Sequence, residues 1–188
     1  MDGDASMKNL TVAWLQSRNA CRSGLSWFVE SGERDTRKFV MLAVNANRAD
    51  YAHWVLTQLM DREQHVRYAI MAARLLLHRY ETAHPHDSRV RSVIDLAQLL
   101  IDTYGRTGLA YDDVTSVYAT ESLAYRAGAS TSDPDARLAA RTAARAVRAL
   151  AVRDTAGHAC KTAIRAAGKD CAVVHMRIVE YGLELLNL

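Results

Sequence analysis

Residues 66–101 read VRYAIMAARLLLHRYETAHPHDSRVRSVIDLAQLLI, two helical patterns separated by a turn. Apolar residues recur every three or four positions before the turn, at Val66, Ala69, Ile70, Ala73, Leu77 and Tyr80. The same spacing follows it, at Val90, Val93, Ile94, Ala97, Leu100 and Ile101. Each set predicts a helix with one buried stripe. Because Pro85 cannot continue a helix and disfavours helical geometry at His84, the first helix must end here.

The turn itself, "HPHD" at 84–87, allows two interpretations. Asp87 is well placed to cap the second helix by accepting from the amides of Arg89 or Val90, with Arg89 and Arg91 in the first turn. Alternatively, His84, His86 and Asp87 carry atoms that suit zinc or another transition metal. A metal site would need a further ligand, and His78 faces another way from the body of its helix. We favour the cap, and we predict no cofactor.

The remaining sequence is also helical in pattern, with no alternating run of β-branched and aromatic residues from which to build a sheet. We predict an all-α protein, a single compact domain of about eight helices over 1–188. Its N-terminal helices are short and its C-terminal bundle is longer and alanine-rich, with a subdivision into 1–62 and 63–188 left open.

Capping residues and glycines predict the helix boundaries. We expect Asn19 to cap a helix that stops at Ser31–Gly32, and Asp50 to lie near the start of the next. The helix from about Ser88 is expected to end at Gly105 and Gly108, and its successor to start at Asp112 or Asp113. Residues 127–135 form the clearest predicted loop, with Asp133 as cap and Pro134 in the first helical position. Gly157 and Gly168 are candidate breaks or close-packing points.

Composition indicates a protein of the cytoplasm. No stretch approaches the ~20 apolar residues of a membrane span, and the start "MDGDASMKNL" is acidic and polar, unlike a secretory signal. The three cysteines, Cys21, Cys160 and Cys171, form no CxxC pair and are odd in number, which favours reduced thiols. If one unbroken helix joined Cys160 to Cys171, both would share a core-facing side.

Charge is unevenly placed. Residues 133–169 contain eight basic and three acidic residues, a local balance of +5 in a chain of net charge +3. Four arginines fall within an arc of about 80° on one predicted helix: Arg137, Arg141, Arg145 and Arg148. This stripe is either a solvated face or a contact for an acidic protein partner. Few aromatic residues are interleaved with it, so nucleic acid is not expected to be the partner.

The aromatic residues fit packing positions. Trp14, Trp27 and Trp54 each stand beside other apolar residues, and we predict them in the core. Tyr111, Tyr118 and Tyr125 recur every seven residues, which favours a packing stripe over a ligand cage. There is no glycine-rich phosphate loop or GxSxG elbow, and on a helix His158 and Cys160 would point apart. We therefore predict a protein without enzymatic activity.

Three stretches resemble a family of immunity proteins from bacterial polymorphic toxin systems, the type-five-like immunity domain. The first is "NACRSGLSWF" through Ala20, Cys21, Gly24, Leu25 and Trp27. The second is "RADYAHWVLTQL" through Asp50, Tyr51, Trp54 and Leu56. The third is the turn and its second helix through Glu81, Pro85, Asp87, Arg89, Arg91 and Ala97. The family usually has a second Asp where Ser88 stands and a Pro where Val90 stands.

The resemblance implies a binding protein that neutralises a toxin or effector by tight protein–protein association. An anti-defence inhibitor from a phage or mobile element, which binds a host defence complex, is the alternative. Two other classes stay open, namely a metal-dependent enzyme centred on His84, His86 and Asp87, and a self-assembling helical protein. The oligomeric state is not predicted.

Overall fold

The computed structural model describes residues 8–107, 114–152 and 155–188, and the side chains of all of these except 104–107 and 114–116. These residues form ten α-helices and one short 3-10 helix, and the all-α fold is confirmed. Two residues, Asn9 and Asp35, form an isolated antiparallel bridge. The helices are α1 (Val12–Ser17), α2 (Arg22–Ser31), α3 (Thr36–Asn45), α4 (Ala49–Leu59), α5 (Arg62–Ala83), α6 (Arg89–Thr107), α7 (Val114–Ala129), α8 (Pro134–Arg148), α9 (Thr155–Ala167) and α10 (Cys171–Leu185).

Helices α5 and α8 form the centre of the bundle. Helix α8 packs on α5, α6, α7 and α9, and its alanines let these four neighbours approach closely. Helix α5 packs on α6, α8, α9 and α10. It starts from a capping box in which the Asp61 carboxylate accepts from the Gln64 amide and the Gln64 side chain accepts from the Asp61 amide. The pattern over 66–80 is confirmed as the buried face of α5.

The N-terminal helices share this core. Helix α10, near the end of the chain, packs on α3 and α4 as well as on α5. One cluster of buried side chains runs from Leu10 to Leu186, on both sides of the 62/63 division that the sequence suggested. The three tryptophans pack against this cluster but are only half-buried, so they lie at its margin and not in its interior.

Several predicted boundaries are confirmed. Helix α2 ends at Ser31, and Gly32 follows it with a φ of 66°, in the left-handed region that glycine adopts without strain. Asp50 lies in the first turn of α4. The Asp133 carboxylate caps α8 by accepting from the Ala136 amide at 2.8 Å, and Pro134 takes the first helical position.

Other boundary predictions are wrong. The cap of α2 is the Cys21 sulfur, which accepts from the Gly24 amide, while Asn19 has a φ of 59° in the link from α1. Gly105 lies inside α6, which ends at Thr107. Gly157 lies inside α9 and makes no break, whereas the predicted break at Gly168 is confirmed, since this residue has a φ of 56° and lies between α9 and α10. The predicted stop at Gly108 and starts at Asp112 or Asp113 lie outside the described residues.

Two helices, α1 and α3, were not predicted, which accounts for ten helices in the described residues instead of about eight. The stripe of α1 is narrow, with only Leu15 buried in its six residues, whereas α3 buries Thr36, Phe39, Val40 and Ala43. The break at Gly168 also means that no single helix joins Cys160 to Cys171. The two cysteines do not share a core-facing side, since Cys160 is buried and Cys171 is exposed. In the described parts of the chain, no helix is long and apolar enough to cross a membrane.

Candidate functional site

The turn at 84–91 is built around the Asp87 carboxylate. The buried Tyr80 hydroxyl donates to its Oδ2 at 2.6 Å, and the Arg89 guanidinium donates from Nε at 2.9 Å and from Nη2 at 2.6 Å. The Arg89 amide donates to Oδ1 at 3.0 Å, as the cap interpretation predicted, although α6 itself begins at Arg89. These donors hold the pKa of the Asp87 carboxyl far below its ordinary value, and the hydrogen bonds from the Arg89 side chain have the largest effect.

A second ion pair closes the same hairpin. The Arg91 guanidinium donates from Nε to Glu81 Oε1 at 2.6 Å and from Nη2 to Oε2 at 2.7 Å, a bidentate link between α6 and the end of α5. Asp87, Arg89 and Arg91, the residues of the family-like turn, are therefore all engaged by partners within the chain.

The metal alternative for this turn finds little geometric support. Within 8–107, 114–152 and 155–188, no group of three or more His, Cys, Asp and Glu side chains is arranged to hold a metal ion. Asp87 is directed to Tyr80 and Arg89, the half-buried His84 ring lies 5.0 Å from the Tyr80 ring between centroids, and His86 is exposed.

The arginine stripe on α8 divides into two kinds of residue. Its ends are engaged, since Arg137 donates to the Thr131 carbonyl at 2.8 Å and Arg148 to Glu121 at 2.9 Å. Its middle members, the exposed Arg141 and the half-buried Arg145, have no ion pair with any described residue. The structure thus leaves two guanidinium groups available on this side of the bundle.

Glu121 is the residue of this surface that the sequence did not single out. Its side chain is only 6% exposed, and Arg148 both pairs with it and stands 5.3 Å from the centroid of the Tyr118 ring. The sequence did offer a signal for this pair. Glu121 lies on the same side of α7 as the buried Val117 and Ala124, and a buried carboxylate needs a partner of opposite charge.

The tyrosines of α7 contradict the packing prediction. Tyr118 is 44% exposed and Tyr125 is 39% exposed, so neither belongs to the core, and Tyr111 lies outside the described residues.

Helices α7 and α8 run antiparallel. Glu121 of α7 pairs with Arg148 near the end of α8, while a Cβ on Gly128 of α7 would lie 3.3 Å from the Arg137 carbonyl oxygen near the start of α8. Tyr125 is therefore at the level of the middle arginines. We call Tyr118, Tyr125, Arg141 and Arg145 the α7–α8 face.

A polar cleft between α4 and α9 was also missed. It measures about 530 Å³ and is lined by Arg18, Asp50, His53, Trp54, Gln58 and Lys161, with His158 at its side. His53 is fully buried, and its Nδ1 lies 2.6 Å from the Tyr68 hydroxyl. Its Nε2 has no partner in the described part of the protein. A histidine within the otherwise apolar side of α4 is the signal that the sequence offered.

No protein-family model matches the chain, and no curated protein or solved structure matches it.

Proposed function

We propose that this chain is a non-enzymatic binding protein of the immunity type, which neutralises a toxin or effector by tight association through the α7–α8 face. The observation that carries the proposal is that exposed tyrosines of α7 lie beside arginines of α8 that form no ion pair with any described residue. Tyrosine and arginine are the residue types that most often dominate the energy of protein–protein interfaces, together with tryptophan.

The bundle would hold this face rigidly. Helix α8 is enclosed by four helices, and the ion pair between the buried Glu121 and the half-exposed Arg148 ties it to α7. A surface that is already ordered loses less conformational entropy when it binds, which favours tight association. The resemblance to immunity proteins agrees with this class of function, although its motif residues Asp87, Arg89 and Arg91 contribute to folding in this structure.

The charge of the face indicates the kind of partner. Two guanidinium groups that pair with no described residue would attract an acidic or neutral patch, such as a cleft rim rich in Asp and Glu. Complementary charge accelerates association. The expected partner is therefore an effector with an acidic surface near its active site.

The test uses the toxin or effector encoded beside the gene for this chain. Both proteins are produced together, and growth rescue and the dissociation constant are measured for the natural chain and for Arg141→Glu/Arg145→Glu. We expect the double variant to bind at least about tenfold more weakly at low salt, with most of the change in the association rate.

The matched control is Arg165→Glu/Arg177→Glu, which changes the net charge equally at exposed positions of α9 and α10. It should bind like the natural chain. Equal losses in the two double variants would show a general charge effect, and the proposed face would be wrong. Absence of both binding and rescue with the natural chain would contradict the immunity function itself.

A further inference from the structure

The polar cleft between α4 and α9 has the chemistry of a small-molecule site. We propose that it binds a small, hydroxyl-bearing organic anion, with Arg18 and Lys161 pairing with its phosphate or carboxylate and the His53 Nε2–H donating to it. The cleft is separate from the α7–α8 face, so this inference does not rest on the proposed function.

The protonation of His53 follows from its surroundings. Burial, followed by the proximity of His175 and of the Lys161 ammonium, lowers the pKa of His53 to about 3, so at neutral pH the ring is neutral and carries one N–H. The Tyr68 oxygen lies 2.6 Å from Nδ1, a hydrogen bond in which either atom can be the donor. We assign the donor role to the Tyr68 hydroxyl as part of the proposal, which leaves the ring proton on Nε2.

The His53 Nε2 is a buried ring nitrogen with no hydrogen-bond partner among the described residues. His53 is one of the residues that line the cleft, and its Nδ1 is already engaged by Tyr68. A buried donor left unpaired destabilises a protein by about 1–3 kcal/mol, so such groups are rare unless a ligand or water satisfies them. An oxygen atom of a bound anion would provide the missing acceptor.

The charge of the lining selects the ligand. Arg18 and Lys161 form no ion pair with any described residue, and Arg18 stands 5.7 Å from the centroid of the Trp14 ring. Two cations that line one concave surface and pair with no described residue favour a phosphate or carboxylate group.

The rest of the lining fits a polar ligand body. The Asp50 carboxylate and the Gln58 amide can accept from hydroxyl groups, and the Trp54 ring offers an apolar wall against which a sugar-like carbon skeleton can lie. At about 530 Å³ the cleft falls within the ordinary range for small-molecule sites.

The test uses three hexoses that differ mainly at C6. Glucose 6-phosphate carries a phosphate there, glucuronate carries a carboxylate, and glucose carries no charge. Calorimetric titration should give saturable 1:1 binding for one or both anions, and glucose should bind at least about tenfold more weakly. Which anion binds better identifies the source of the oxyanion. Failure of both anions to saturate, or equal binding of glucose, would overturn the proposal.

Two lysine variants test whether Lys161 pairs with the anion, and one spectroscopic measurement tests whether His53 donates to it. Lys161→Ala should weaken anion binding about tenfold, whereas Lys169→Ala, which removes an exposed lysine beyond the end of α9, should bind like the natural chain. Nitrogen-15 NMR of the histidine rings should show His53 protonated at Nε2 and shifting as the anion is added. Equal affinities for the two lysine variants, or an unprotonated or unmoved His53 Nε2, would contradict the assignment.

Discussion

Single residues of this protein show how burial changes ordinary side-chain chemistry. His53 and His175 lie 5.0 Å apart between ring centroids in the interior, and burial lowers the pKa of both. A histidine whose pKa is lower in the folded state than in the unfolded state is protonated preferentially by the unfolded chain. The stability it contributes is present above the unfolded pKa, near 6.5, and is lost as the pH falls toward the folded pKa.

His53 therefore makes the protein sensitive to mild acid. Its pKa moves from 6.5 to about 3 on folding. We expect it to lower the free energy of unfolding by about 2 kcal/mol between pH 7.5 and pH 5. Urea unfolding at both pH values should show this loss in the natural chain and a smaller loss in His53→Gln. The exposed His158→Gln should behave like the natural chain, and an unchanged pH dependence in His53→Gln would contradict the assignment.

Asp87 gives a second prediction for a single residue. Asp87→Asn removes the charge that Arg89 and the Tyr80 hydroxyl require, and we expect the free energy of unfolding to fall by about 2 kcal/mol at pH 7. Glu81→Gln, in the exposed pair with Arg91, is the control and should change stability much less, because solvent screens that pair. Equal effects in chemical denaturation would show that Asp87 acts only as another surface charge.

At the scale of helices, close approach depends on glycine and alanine. Gly182 of α10 faces Tyr68 and Leu56, where an added Cβ would lie 2.7 Å and 3.0 Å from their side-chain carbons. Gly157 of α9 has its nearest such neighbour at 3.9 Å, an ordinary contact. Alanine substitution at Gly157 therefore tests helix propensity alone, whereas alanine substitution at Gly182 also tests close packing.

We expect opposite signs for the two alanine substitutions. Gly182→Ala should lower the free energy of unfolding by about 1–3 kcal/mol, because the Tyr68 ring must shift against a close-packed interior. Gly157→Ala should raise it by up to about 1 kcal/mol, from helix propensity alone. Thermal and urea unfolding would measure both. Stabilisation by Gly182→Ala would mean that α10 does not pack as closely as described.

At the scale of the whole molecule, one core joins the first helices to the last. Cys160 is buried within it, while Cys21 and Cys171 are exposed. A thiol reagent can reach Cys160 only when the core opens, whereas the other two thiols are accessible in the folded state.

Thiol reactivity should therefore report global unfolding. We expect two thiols of the native protein to react rapidly with a disulfide reagent and the third, Cys160, to react slowly. The opening free energy from its rate should equal the free energy of unfolding from urea. The Cys160→Ser variant should show only the two rapid reactions. Rapid reaction of all three thiols would indicate that the region around α9 opens separately.

The sequence by itself determined the helical class and the α5–α6 hairpin, because apolar spacing, Pro85 and the Asp87 cap act over a few neighbouring residues. It also located the four arginines on one side of α8. Local patterns could not show that Arg148 would turn to the buried Glu121, that Tyr118 and Tyr125 would remain exposed, or that His53 would line a cleft opposite Lys161. Those outcomes depend on how helices distant in sequence pack, since burial and charge pairing are properties of the assembled bundle.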